Sequence, residues 1–205
     1  MIKKIILTLT IIIFIGIIIF LFHQYSLYSK NKKNMQKYKG NQIKIEKNFD
    51  KVLIVYYSFS GNTKSIAEKI QNITGGDLYK VEINQDYNNS PQLYLISKKQ
   101  INTKNYPELK NSIPDFSLYD LIFIGSPVWW YTVSPPILSF LSKANFLGKK
   151  IVPFATHGGN IGNFFEDFRK NVKNAEILKS ADFYNVKKEN QELLENKIID
   201  WLNKL

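Results

Sequence analysis

Eighteen consecutive residues without a charge, Ile5 to Phe22 (IILTLTIIIFIGIIIFLF), restrict the environments that this chain can occupy. At about 1.5 Å of rise per residue, a helix of that length covers roughly 27 Å, close to the hydrocarbon thickness of a bilayer. Residues 1 to 22 therefore read as a single N-terminal transmembrane helix. A cleaved signal peptide is the competing reading, because Lys3 and Lys4 make a basic start and signal sequences carry an apolar core. The run is long for a signal, and HQYSLYS beyond it offers no small-x-small cleavage pattern, so length and flanks favour a retained anchor. No cysteine occurs anywhere, which excludes a lipidated cysteine, disulfides, thiolate metal sites and a cysteine nucleophile.

Charge follows directly behind the apolar run. The whole chain is at +11, but residues 1 to 50 alone are at +7, leaving +4 for the rest. Residues 23 to 50 lack sustained periodicity and read as a basic tether, which as a flexible coil would extend roughly 30 Å. Lys30, Lys32, Lys33, Lys37 and Lys39 outnumber Lys3, Lys4 and the terminal amine, and positive flanks tend to stay cytoplasmic. The count leans towards a cytoplasmic domain on a single-pass membrane protein; exported anchors also begin with a short basic stretch, so the side stays open. Lysines beside a membrane helix attract anionic lipid by about 1 kcal/mol each, and a solvated linker is an equal alternative. Nucleic acid is not an expected partner, since these lysines are not interleaved with stacking aromatics.

From Lys51 onward, short apolar runs alternate with amphipathic stretches, the pattern of an α/β domain with a parallel sheet over residues 51 to 205. Val52 to Tyr57 and Leu121 to Gly125 are continuously apolar, as strands covered on both faces should be, and belong at the sheet centre. Tyr79 to Ile83 alternates with period two and suits an edge. A fourth strand is predicted over Lys150 to Ala155, although Pro153 cannot donate a ladder hydrogen bond, and a fifth within Ala175 to Tyr184. Helices are predicted after Thr63 (Ile66, Ala67, Ile70, Ile73), near Leu93 to Ile101, from Pro135 and Pro136, and at the end, where Leu194, Ile198, Trp201, Leu202 and Leu205 recur at helical spacing. Residues 102 to 117 read as irregular, and Trp201 reads as core.

Chemistry concentrates in three turns that follow strands. Ser58-Phe59-Ser60-Gly61-Asn62-Thr63 lies between the first strand and the first helix. Hydroxyls, an amide and a permissive glycine there can wrap a phosphate at the unpaired N–H groups of a helix start. An ordinary N-cap explains one such residue, not this density. Neither GxxxxGK[ST] nor GxGxxG spacing is present. After the third strand come Ser126, Pro127, Val128, Trp129, Trp130 and Tyr131, where three adjacent aromatics suit a flat aromatic ligand; core packing is the alternative for any one of them. After the fourth, Thr156, His157, Gly158 and Gly159 permit close backbone approach to a ligand. His157 has the chemistry to give a proton or positive charge to an anion, though a lone loop histidine is more often incidental.

These turns resemble the flavodoxin family, in particular its short flavodoxins and FMN-dependent oxidoreductases, over residues 51 to about 204. SFSGNTKSIAEKI is similar to the family's phosphate loop and first helix, GSPVWWYTVSPPILSFL to the loop beside the flavin ring, and KKIVPFATHGGNIG to the third flavin loop. The resemblance implies a doubly wound five-stranded sheet of order 2-1-3-4-5 with its ligand at the switch point. It implies FMN as cofactor, its phosphate on Ser58, Ser60, Asn62 and Thr63 with backbone help from Phe59 and Gly61. Pro127 to Tyr131 would flank the ring, with Trp129 or Trp130 against it, and Thr156, His157, Gly158 and Gly159 would close the other side. Soluble carrier flavodoxins are usually strongly acidic, unlike this domain at +4, which argues against their usual partners; the membrane anchor makes a quinone or redox protein in or on the bilayer the expected partner.

The expected activity is oxidoreduction, from NAD(P)H to a quinone-like or protein acceptor, with a noncatalytic electron carrier as the alternative and a binding module that has lost flavin as a third reading. A phosphoacceptor receiver would end its third strand in aspartate, where this chain has Gly125 and Ser126. No catalytic acid, base or metal site is required of the protein, and nothing in the sequence speaks to oligomeric state.

Overall fold

The computed structural model describes residues 2–40, 42–85, 87 and 91–205. It divides into two compact units, Met1–Lys39 and Gly40–Leu205. The first is one helix, α1 (Ile2–Gln36), 35 residues long. It is long and apolar enough to cross a membrane, as a signal sequence near an N-terminus also can be. Residues 23 to 36, expected as coil, continue this helix. No proline interrupts them, and Lys, Gln, Met and Leu are good helix formers; periodicity is needed only where a helix must bury one face.

The second unit is a sheet with helices on both sides. Its strands are β1 (Val52–Tyr56), β2 (Asp77–Lys80), β3 (Leu121–Trp129), β4 (Thr132–Val133), β5 (Lys150–His157), β6 (Glu176–Ile177) and β7 (Ala181–Tyr184). Its helices are α2 (Asn62–Thr74), α3 (Pro91–Thr103), α4 (Pro135–Lys143), α5 (Phe164–Asn171) and α6 (Gln191–Leu202). The order is β2-β1-β3-β5, with β6 and β7 successively against the outer edge of β5. All pairs are parallel except β4, which folds back on the end of β3. With that hairpin set aside, the five positions follow the order 2-1-3-4-5.

Alternating side chains sort the core into two layers, because successive strand residues point to opposite faces. Leu53, Val55, Ile122, Ile124 and Ile151 pack with Ile137, Phe140 and Leu141 of α4 and Phe164 and Phe168 of α5. Val52, Ile54, Phe123, Val152 and Phe154 pack with Ile66 and Ile70 of α2 and Leu194, Ile198 and Trp201 of α6. Gly125 is required by the second layer: a methyl group there would stand 2.1 Å from the Phe154 ring.

Three details differ from expectation, and the proline inside an expected strand finds its explanation. β2 ends at Lys80 rather than reaching Ile83, because residues 82 to 84 turn to pair with 108 to 110: Asn84 N donates to Glu108 O and Lys110 N to Glu82 O. That second partner keeps the alternation going beyond the sheet. Helix α5 was not expected at all. Pro153 is accommodated inside β5 by a gap: Leu178 N donates to Ile151 O, so residues 151 and 153 face the same outer edge, and β6 ends at Ile177 while β7 begins at Ala181. The missing N–H falls where no strand is paired. Finally, the last part of the expected coil is strapped to α6, with Ile43 N donating to Asn196 Oδ1, Glu46 N to Asn203 Oδ1 and Asn203 Nδ2 to Lys44 O.

Candidate functional site

The turns after β1, β3 and β5 leave the same end of the sheet and touch one another. Thr63 Oγ1 and Thr156 Oγ1 share a buried hydrogen bond of 2.8 Å, joining the first turn to the third. Phe59 meets Trp129 edge-on at 5.9 Å, joining the first to the second. Asn163 N donates to Tyr131 O at 3.0 Å, joining the second to the third.

In the first turn the chain reverses at Gly61, whose φ of 89° lies where a side chain is strained. Gly61 N donates to Ser58 Oγ at 3.1 Å and Asn62 Nδ2 to Ser60 Oγ at 3.2 Å. The polar residues thus bond one another, and among the described residues no side chain caps α2. Its first amides stay available to an anion, which the helix dipole also favours. Asn62 Oδ1 is buried with no hydrogen-bond partner among the described residues. A buried orphan of this kind costs about 1–3 kcal/mol unless something arrives to satisfy it.

The second turn is a hairpin that no glycine or asparagine announced. Trp130 and Tyr131 link β3 to β4 with φ of 54° and 63°, the left-handed backbone that a right-twisted two-residue hairpin needs. Each stores about 1–2 kcal/mol of strain. Ser126, fully buried, closes the hairpin base: its Oγ accepts from Ser134 N at 3.1 Å and lies 2.9 Å from Ser134 Oγ. Pro127 pairs across to Thr156, and Val128 to Val133. The two indoles separate. Trp129 fills a nest of Tyr57, Phe59 and Tyr87, at ring distances of 6.0, 5.9 and 5.3 Å. Trp130 docks on α3, its Nε1 donating to Ser97 Oγ at 3.0 Å with Lys98 Nζ 4.9 Å above its ring. Tyr131 remains 61% exposed, and only a glycine fits beside it, since a methyl group on Gly162 would stand 2.3 Å from Tyr131 Cβ.

His157 braces the third turn. Its Nδ1 lies 2.5 Å from Gly159 O and its Nε2 3.0 Å from Asp182 Oδ2. The His157 hydrogen bond is the main cause holding the Asp182 carboxyl below its ordinary range, with the Lys197 charge assisting against partial burial. Both ring nitrogens are therefore engaged within the protein. Gly158 is exposed, and Asn185 N donates to His157 O at 2.9 Å beneath it.

A cleft of about 320 Å³ adjoins the first turn on the β2 side, lined by Ser58, Phe59, Lys80, Glu82, Tyr87 and Lys110 among others. Burial pushes the Tyr87 phenol well up, and its hydroxyl donates to Gln100 Oε1 at 2.6 Å. Among the described residues no group of three or more His, Asp or Glu gathers to hold a metal ion. One neighbour of the first turn carries no local sequence signal. Lys187, from the short 3-10 turn Val186–Lys188 after β7, ends beside Gly61.

Residues 51–205 match the flavodoxin family. Among solved structures, a flavoprotein from Lactobacillus acidophilus NCFM in complex with FMN is 31% identical, with a TM-score of 0.59 over 64% of this chain and 92% of that one. A protein from Bacteroides eggerthii DSM 20697 assigned as a flavoprotein is 30% identical, with a TM-score of 0.64 over 75% and 96%. One from Bacteroides uniformis ATCC 8492, at 24% identity, TM-score 0.66 and 77% and 100% coverage, shares the fold. No curated protein matches.

Proposed function

Because this chain belongs to the flavodoxin family, we propose that it is a membrane-anchored FMN-binding oxidoreductase that moves electrons from reduced nicotinamide to a quinone-like or protein acceptor. The observation that carries the cofactor assignment is the uncapped start of α2 with the orphaned, buried Asn62 Oδ1 beside it. A phosphoryl ester fits that site: its oxygens accept from backbone amides and hydroxyls, and a protonated or hydroxyl-bearing part satisfies the amide oxygen. Ser58, Ser60, Asn62 and Thr63, with the backbone of Phe59 and Gly61, hold the phosphate end. Ser126 to Tyr131 flank the ring on one side and Thr156, His157, Gly158 and Gly159 on the other.

Bound FMN supplies one-electron and hydride chemistry, and the protein orients it and tunes its electronics. The chain's own residues have three tasks. The first turn fixes the anionic end. The hairpin excludes water with Trp129 and presents exposed Tyr131. His157, tied to Gly159 and Asp182, keeps the glycine backbone in place. Residues 1–22 serve as anchor, the basic stretch 23–50 joins it to the domain at 51–205, and α1 supports an acceptor in or at the bilayer.

Two measurements on the full chain in detergent test the proposal. The visible spectrum with and without added FMN should show a bound flavin; a protein that ignores FMN ends the cofactor assignment. The FMN-loaded protein should then oxidise NADH or NADPH with a soluble quinone and no added reductase. Turnover only when a reductase is supplied would make it a noncatalytic electron carrier instead.

A further inference from the structure

Resting on the FMN reading, we infer that Lys187 supplies the counter-charge for the phosphoryl end of the ligand. A methyl group built on Gly61 would be in van der Waals contact with Lys187 Cε and Nζ, each at 3.5 Å, so the ammonium lies beside the point where the first turn reverses.

The position is built rather than incidental. Asn185, with φ of 42° and ψ of 47°, turns the chain sharply out of β7, a conformation asparagine tolerates better than most residues. Its N–H stays on His157 O, while Val186, 1% exposed, anchors the turn in the core beside α2. Gln191 Nε2 donates to Val186 O at 3.2 Å and pins it from α6. The outcome is a short 3-10 turn that carries Lys187 over the start of α2.

Its chemistry matches what the first turn lacks. A phosphate monoester carries close to two negative charges near neutral pH, whereas Ser58, Ser60, Asn62 and Thr63 are neutral and a helix start offers about half a charge. Lys64 is the nearer cation in sequence, but its Nζ pairs with Glu68 one turn along the helix at 3.5 Å. Lys197 is likewise occupied, donating to Asp182 O at 2.6 Å. Lys187 has no hydrogen bond or ion pair among the described residues. An ammonium kept beside a phosphate-sized turn, while its neighbours are committed elsewhere, fits a role that begins when the anion arrives.

The test compares FMN with riboflavin, which has the same ring without the phosphate, by flavin fluorescence titration of the full chain in detergent. Lys187→Gln should weaken FMN about ten- to a hundredfold, leave riboflavin unchanged and flatten the loss of FMN affinity with added salt. Lys187→Arg should stay within a few-fold of the original chain. Lys188→Gln, which removes the same charge one residue on, should leave FMN affinity unchanged, and equal melting temperatures of the apo forms exclude misfolding. FMN affinity unaltered by Lys187→Gln, or FMN and riboflavin weakened alike, would overturn the role of Lys187 while leaving the FMN assignment intact. Failure of the original chain to bind FMN would instead overturn both.

Discussion

The first and second turns stand side by side at one end of the sheet and are built on opposite principles. The first is polar, and its bonding is incomplete: α2 has no side-chain cap and Asn62 Oδ1 has no partner among the described residues. The second is aromatic and complete in itself, with Trp129 nested among three rings and Trp130 bonded to α3, at the cost of two left-handed aromatic residues at its tip. One turn holds unsatisfied hydrogen-bonding capacity and the other holds backbone strain. A ligand gains binding energy from the first simply by arriving, whereas at the second it must compete with contacts that already exist.

The sharpest way to break this contrast is at the hairpin's brace. Gly162→Ala places a methyl group 2.3 Å from Tyr131 Cβ and 2.5 Å from its carbonyl oxygen, on a backbone with φ of 55°. Denaturant unfolding should show a loss of about 2–4 kcal/mol, and an unchanged midpoint would mean that the hairpin is not held from this side. Asn62→Ala should behave oppositely. The substitution removes the oxygen that has no partner among the described residues, which relieves about 1–3 kcal/mol, and forfeits the exposed Asn62 Nδ2–Ser60 Oγ bond, so apo stability should hold or rise by about 1 kcal/mol, while FMN affinity measured by fluorescence falls about tenfold. A large drop in apo stability would place the first turn among the self-sufficient ones.

The third turn should fall between them and depend on pH. The Asp182 carboxyl is held below its ordinary range in the folded protein, chiefly by His157. Its contribution is therefore complete above the unfolded value of about 3.9 and disappears as pH falls through the lower folded value. The carboxylate is half-exposed, so screening limits the effect to under about 1 kcal/mol. Thermal melting of the original chain and of Asp182→Asn should differ at pH 7, and the gap should close only as pH falls below the ordinary carboxylate range; a gap that stays constant would remove the ionised carboxylate from the account.

Much of the fold could be read from the chain because parallel strands covered on both faces are apolar without interruption, as Val52 to Tyr57 and Leu121 to Gly125 are. The three turns announced themselves by crowding residues that a simple connection does not need. Where reading failed, the cause was local ambiguity or distant contact. Helix α5 spans eight residues, too few for its Phe164 and Phe168 pair to stand out as a period. The hairpin was hidden because Trp-Tyr is a poor turn sequence whose backbone is held by Gly162 from another strand's turn. Lys187 carried no signal whatever: an exposed lysine after a strand acquires meaning only when the fold brings Gly61 beneath it.

The gap opposite Pro153 also bears on how the molecule avoids its own copies. An outer strand broken into pieces of two and four residues gives a neighbouring chain no continuous row of amides and carbonyls to zip against. The opposite border is a four-residue strand ending in Asp77 and Lys80, equally short and bearing charge. Proteins confined together at high local density meet edge to edge often, and this sheet presents a poor template for amyloid-like growth at either border.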